Sequence, residues 1–167
     1  YKEGSTFSAV LLLDGVPKVW VAVLGDSPVA VLDKDGDLHL SSEHNVRSNL
    51  EERKAAEERG GIYMNGYIWT DMSDLAKGLQ MGRALGDSDL GKILSREPDI
   101  YIIDNPQWVL VASDGVFDPS HGNTSQLLEE VEKYAMKRST AKDIMEWAEK
   151  RGLEDNATAL VWNLLKK

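Results

Sequence analysis

The stretch QWVLVASDGVFD, residues 107–118, decides the fold. Trp108–Ser113 reads as a short, continuous apolar run, the pattern of a strand buried on both faces. The run ends on Asp114, with Gly115 beside it and Asp118 four residues further on. A core strand therefore delivers carboxylates to one point, and the rest of the chain must explain why.

Upstream, Ala9–Leu13, Val19–Leu24 and Val29–Leu32 are short, β-branched and separated by turn residues, so they read as consecutive antiparallel strands. LDGVPK and DKDGDL are hairpin connections, because Asp-Gly supplies positive φ at little cost. A helix is expected over roughly Val46–Arg59, stopped by Gly60-Gly61. Short strand-like pieces follow in Ile62–Trp69. Residues 72–97 read as turn and loop with a brief helix or strand.

Beyond the 107–113 strand, Leu127, Leu128, Val131, Tyr134 and Ala135 keep one face apolar in a helix near Ser125–Lys137. A second helix runs near Ala141–Lys150. Thr140 can cap it, Asp143 suits its positive end, and Gly152 closes it. ATALVWNLL is the last strand. Strands first, helices late and hairpin links predict an α+β sandwich of mostly antiparallel sheets. No repeat, linker or low-complexity tract interrupts it, so residues 1–167 are read as a single domain.

The bulk numbers agree. A chain of 167 residues with 42% apolar and 28% charged residues can bury a core. A net charge of −9 argues against nucleic acid or an anionic membrane as partner, and suits a site that holds cations. The absence of cysteine excludes disulfides and zinc-thiolate sites. It is compatible with a reducing, intracellular setting, and cytoplasmic placement is expected. No apolar run approaches the length of a membrane span.

The candidate chemistry is acidic. Asp26, Asp87, Asp114, Asp118 and Asp155 sit near strand ends. One such aspartate is ordinarily a turn former. Several together would make a hard, oxygen-rich nest suited to Mg²⁺ or Mn²⁺. DKDGDLHLSSEH is not a calcium loop: Leu38 and His44 occupy the positions that need glycine and glutamate. His39, His44 and His121 share no metal-ligand spacing and are expected at the surface or in turns. The serines show no nucleophile-elbow pattern. GGIYMNG lacks the lysine of a phosphate loop.

The motifs GSTFSAVLLL, VAVLGDSPVAVL, SSEHN with ERGGIY, MGRALGD, VLVASDGVFD and RGLEDNATALV, in that order, resemble the metal-dependent protein phosphatases of type 2C, over Gly4 to about Leu164. The resemblance implies a four-layer α/β/β/α sandwich with metals in a cleft at one end. It implies metal-binding roles for Asp114 and Asp155, and a weaker additional position near Asp118 and Asp26. Arg83, Asp87, Gly115 and Asn156 are carried over as support for the cleft. The implied reaction is hydrolysis of phosphoserine or phosphothreonine in proteins by a water between two Mg²⁺ or Mn²⁺ ions.

The chain departs from the family where the family opens. The Arg-containing strand, the Glu-Asp pair and Asp-Gly-His-Gly-Gly are not in this sequence, so it reads as truncated at the N-terminus. Gly82, Phe117 and Pro28 replace a serine, a tryptophan and an arginine. Lacking the bridging aspartate, the metal site is expected to be incomplete, with weak or partial occupancy. Two functions follow: a phosphatase completed by an upstream segment, or a catalytically inactive pseudophosphatase that binds or regulates another protein. The expected partner is a phosphoprotein substrate or a regulatory protein. Unpaired sheet edges also predict a tendency to form a homodimer.

Overall fold

The computed structural model describes residues 2–73, 77–117 and 124–164. Its centre is two antiparallel sheets. One runs β2(Phe7–Leu12), β3(Lys18–Leu24), β9(Asp99–Asp104). The other has the order β11(Ala159–Asn163), β10(Pro106–Ala112), β4(Val29–Asp33), β5(Leu38–Leu40). The α+β antiparallel architecture read from the sequence is the one observed.

β10 shows why its sequence is apolar throughout. Trp108, Leu110 and Ala112 pack with Ala30 and Leu32 under the helices α2(Thr124–Lys137) and α3(Ala141–Arg151). Val109 and Val111 point the other way, against Val19, Val21 and Val23 of the facing sheet. Both faces are buried, so period-two alternation disappears. Leu127, Val131, Tyr134 and Ala135 supply the helical side of that core. The indole N–H of Trp108 donates to the carbonyl of Ser139, satisfying its one polar atom.

The hairpins are those expected. Gly15 (φ 75°) lies between β2 and β3, and Gly36 (φ 90°) between β4 and β5. In the second, Asp33 accepts from the amides of Asp35 and Asp37, a turn device and not a cation loop. α3 starts on a reciprocal capping box of Thr140 and Asp143.

A third cluster packs α1(Leu50–Glu58) on the hairpin β6(Ile62–Met64)–β7(Tyr67–Trp69), with Leu90, Ile93 and Leu94. Helix α1 starts later than the expected Val46, because the Asn49 side chain caps it by accepting from the amides of Glu51 and Glu52. Residues 72–97 contain the two-residue strand β8(Leu85–Gly86), paired with β1(Gly4–Ser5), and a short 3₁₀ turn at Ser88–Leu90. β9 carries no expectation from the sequence. Among the described residues, no helix is long and apolar enough to cross a membrane, and the outward face of the β2–β3–β9 sheet is open, with Ile100 69% exposed.

Candidate active site

Three strand ends meet at one edge of the four-stranded sheet. β10 and β11 pair down to Ala112 and Ala159, and the ladder continues as the Ser113 amide donates to the Thr158 carbonyl at 3.0 Å. Beyond it lie the Asp114 turn and the Asp155–Asn156 turn. On the other side of β10, the Ala112 amide donates to the Pro28 carbonyl at 3.0 Å, which places the β3–β4 corner and Asp26 beside the same end.

The two acidic turns are built alike. The Gly115 amide donates to Asp114 Oδ1 at 2.9 Å, and the Asn156 amide to Asp155 Oδ1 at 2.6 Å. Gly115 sets their approach. A Cβ there would stand 2.4 Å from the Asn156 carbonyl oxygen and 3.2 Å from Asp155 Cβ. Only glycine lets the turns close this far.

Asp26 is buried, and desolvation pushes its carboxyl up to about 6. A hydrogen bond from Asn45 Nδ2 at 3.0 Å counters this, while the charge of Asp114 adds to it. Asp26 and Asp114 thus feel one another directly. The structure brings together Asp26, Asp114 and Asp155 at one end. Asp118 and His121 lie outside the described residues.

Support comes from a strap that the sequence reading did not identify. His44, expected at the surface or in a turn, is fully buried. Its amide donates to the Gly25 carbonyl at 3.0 Å, and its Nδ1 accepts from the Gly25 amide at 2.9 Å. Nδ1 therefore carries no proton, and Nε2–H faces Asp99 Oδ2 at 3.1 Å. Arg83 continues the chain, donating to Asp99 Oδ1 at 2.8 Å and gripping Glu52 through Nε and Nη2. Asp99 is pushed up by partial burial, but His44 and Arg83 outweigh this and hold it below the ordinary carboxylate range. Arg83 thus reaches the acidic end through Asp99 and His44. The sequence signal was the adjacency of His44 and Asn45, one partner for each residue of the Gly25–Asp26 corner. Asp87 is placed elsewhere: its carboxylate packs on Gly4, where a Cβ would lie 1.6 Å from Oδ2.

The donors are hard carboxylate oxygens, of a kind that suits Mg²⁺ or Mn²⁺. Among the described residues no three Asp, Glu or His side chains converge as a metal cage.

Fold and site together define an antiparallel α+β sandwich with carboxylates gathered at the end of its central strand. The family model for Protein phosphatase 2C matches residues 1–157, and the chain belongs to that family. It is 30% identical over 161 residues to "Probable protein phosphatase 2C 41" of Oryza sativa subsp. japonica, covering 95% of this chain and 54% of that protein. It is 34% identical over 164 residues to "Probable protein phosphatase 2C 58" of Arabidopsis thaliana, covering 96% and 55%. Among solved structures, a C. elegans sex determining protein aligns with a TM-score of 0.69 at 26% identity, over 98% of this chain and 41% of that one. A serine-threonine phosphatase 2C from Toxoplasma gondii shares the fold, with a TM-score of 0.66 at 22% identity, over 95% and 57%. The chain thus spans little more than half the length of these two plant relatives.

Proposed function

We propose that this chain supplies one wall of a metal-assisted protein serine/threonine phosphatase site. The observation that carries the reading is the contact of the Asp114 and Asp155 turns at Gly115, with Asp26 within the field of Asp114, in a member of the phosphatase 2C family. Asp114 and Asp155, with Asp26 and Asp118, are the residues that would hold Mg²⁺ or Mn²⁺. When bound, such ions lower the pKa of water and neutralise phosphoryl oxygens.

The chain's own contribution is positional. Gly115 brings two acidic turns into contact, and Asn45 and His44 hold the corner that carries Asp26. The substrate class is a phosphoserine or phosphothreonine protein. The test is phosphate release from a phosphothreonine peptide by the native polypeptide that contains this chain. Release should require Mn²⁺ and fall to background in Asp114→Ala; release that survives this substitution overturns the reading.

A second reading is a pseudophosphatase that acts as a binding or regulatory module. What favours it is the short donor set among the described residues. Calorimetry on the 167-residue chain decides against it if two Mn²⁺ ions bind tightly.

A further inference from the structure

Three buried polar atoms lie together between α2 and α3 without a hydrogen bond: Glu130 Oε2, Tyr134 Oη and Arg151 Nη1. Glu130 and Tyr134 stand one turn apart on α2, and Arg151 is the last residue of α3. Glu130 and Arg151 form an ion pair at 3.5 Å that lacks hydrogen-bond geometry. Tyr134 is 8% exposed. Burial holds its hydroxyl above the ordinary phenol range; the Glu130 charge adds to this and the Arg151 charge opposes it, so the oxygen feels both. Buried polar groups are ordinarily satisfied, and three unsatisfied in one place call for a shared partner. The trio borders a groove of about 950 Å³ between the helices, whose lining includes Glu130, Tyr134, Met136 and Trp147. Trp147 packs edge-on against Tyr134 at 5.5 Å, carries the Arg151 guanidinium 4.8 Å from its ring centre, and is 36% exposed. Arg151 also reaches the other way. Its Nη2 donates to the Val116 carbonyl at 3.2 Å, gripping the turn that begins on Asp114.

We propose that this groove binds an uncharged aromatic carboxamide, whose amide edge enters among Glu130, Tyr134 and Arg151. The charges of Glu130 and Arg151 cancel, so an ion gains little there. The Glu130 carboxylate can only accept and the Arg151 guanidinium can only donate. A carboxamide matches both: its NH₂ donates to Glu130 and its carbonyl accepts from Arg151, while the Tyr134 hydroxyl can do either. The ligand's ring lies against Trp147 and Met136, the apolar part of a lining in which a few polar groups fix orientation. Trp147, the outer wall, moves to admit it. Engaging Nη1 fixes the guanidinium whose Nη2 holds Val116, and α3 runs on directly to the Asp155 turn. Occupancy of the groove is therefore felt at both acidic turns. Binding itself requires no phosphatase activity.

Benzamide is the probe, titrated to millimolar concentration into the isotope-labelled 167-residue chain and followed by heteronuclear NMR. Saturable shifts are expected at the Trp147 indole N–H, assigned with Trp147→Phe, and at the amides of 130–134 and 147–151. Smaller shifts should appear at 114–116. Toluene keeps the ring without the amide, and benzoate adds a charge; each should bind at least about tenfold more weakly. Arg151→Met should remove the preference for benzamide over toluene. Tyr134→Phe should reduce it and fold as stably as the parent, since no hydrogen bond is lost. The absence of a saturable benzamide shift overturns the proposal. So does equal binding of toluene, which would make the groove merely apolar, equal binding of benzoate, or a preference that survives Arg151→Met. Benzamide shifts that leave 114–116 unmoved overturn the link to the acidic turns. Should Arg151→Met fail to fold, the parent's preference for benzamide over toluene and its loss in Glu130→Leu decide.

Discussion

The Gly25 amide donates to His44 Nδ1, and the Gly25 carbonyl accepts from the His44 amide, so one residue satisfies both backbone groups of the other. This closed exchange fixes the corner that carries Asp26. It also fixes the ring tautomer, because an acceptor Nδ1 puts the proton on Nε2, facing Asp99. Replacing His44 by Ala would orphan a buried amide, remove the Asp99 contact and leave a cavity. A loss of about 3 kcal/mol is expected in urea unfolding. A loss below ~1 kcal/mol would mean that water replaces the ring.

Asp26 should make the protein less stable as pH rises. Its folded pKa of about 6 lies above the ordinary carboxyl value of 3.8, so the folded state binds more protons between these values. Stability therefore declines from about pH 4 to 6 and stays lower above, by about 3 kcal/mol at the upper limit. Asp26→Asn keeps an acceptor for Asn45 and removes the charge facing Asp114. It should stabilise the chain at pH 7 by about 2 kcal/mol and flatten the slope of midpoint against pH. An unchanged slope would show that another group titrates.

Arg83 makes a fork on Glu52 and a single bond to Asp99. Arg83→Met leaves the partly buried carboxylates of Glu52 and Asp99 without their shared cation, and a cost of about 3 kcal/mol is expected. Arg83→Lys should recover only part of this, since an ammonium cannot reproduce the fork. Equal stability of the lysine variant and the parent would show that charge alone matters.

Gly115→Ala should push apart the Asp114 and Asp155 turns, because the new methyl would overlap the backbone of Asn156. A loss of about 2 kcal/mol or more is expected, with amide shifts concentrated at 113–117 and 154–158 in heteronuclear NMR. Shifts confined to residue 115 itself would contradict this.

Much of the architecture is legible because it depends on local pattern. The apolar run at 108–113, the two Asp-Gly hairpins, and the helices near 125–137 and 141–150 are all visible in periodicity and turn chemistry. β9 is not, because its DIYIID sequence has acids at both ends and its position depends on pairing with β3, some eighty residues earlier. The start of α1 depends on one cap, Asn49. The acidic aspartates are visible singly, but their convergence comes from the registers of β10 with β4 and β11. His44 is hidden for the opposite reason: histidine gives no sign in sequence that both its ring nitrogens will find partners indoors.

Among the described residues β11 is the outermost strand of its sheet, hydrogen-bonded to β10 alone, and Leu160 and Trp162 on it stay 52% and 42% exposed. The Asp155 turn hangs from this strand, while Asp114 sits on the buried one. The acidic corner therefore joins a strand paired on both sides to one paired, among the described residues, on one side. Fraying of β11 opens it, and any cation held by both turns would fasten the strand in return. Occupancy of the corner and amide-exchange protection along Ala159–Asn163 are thus two readings of one equilibrium.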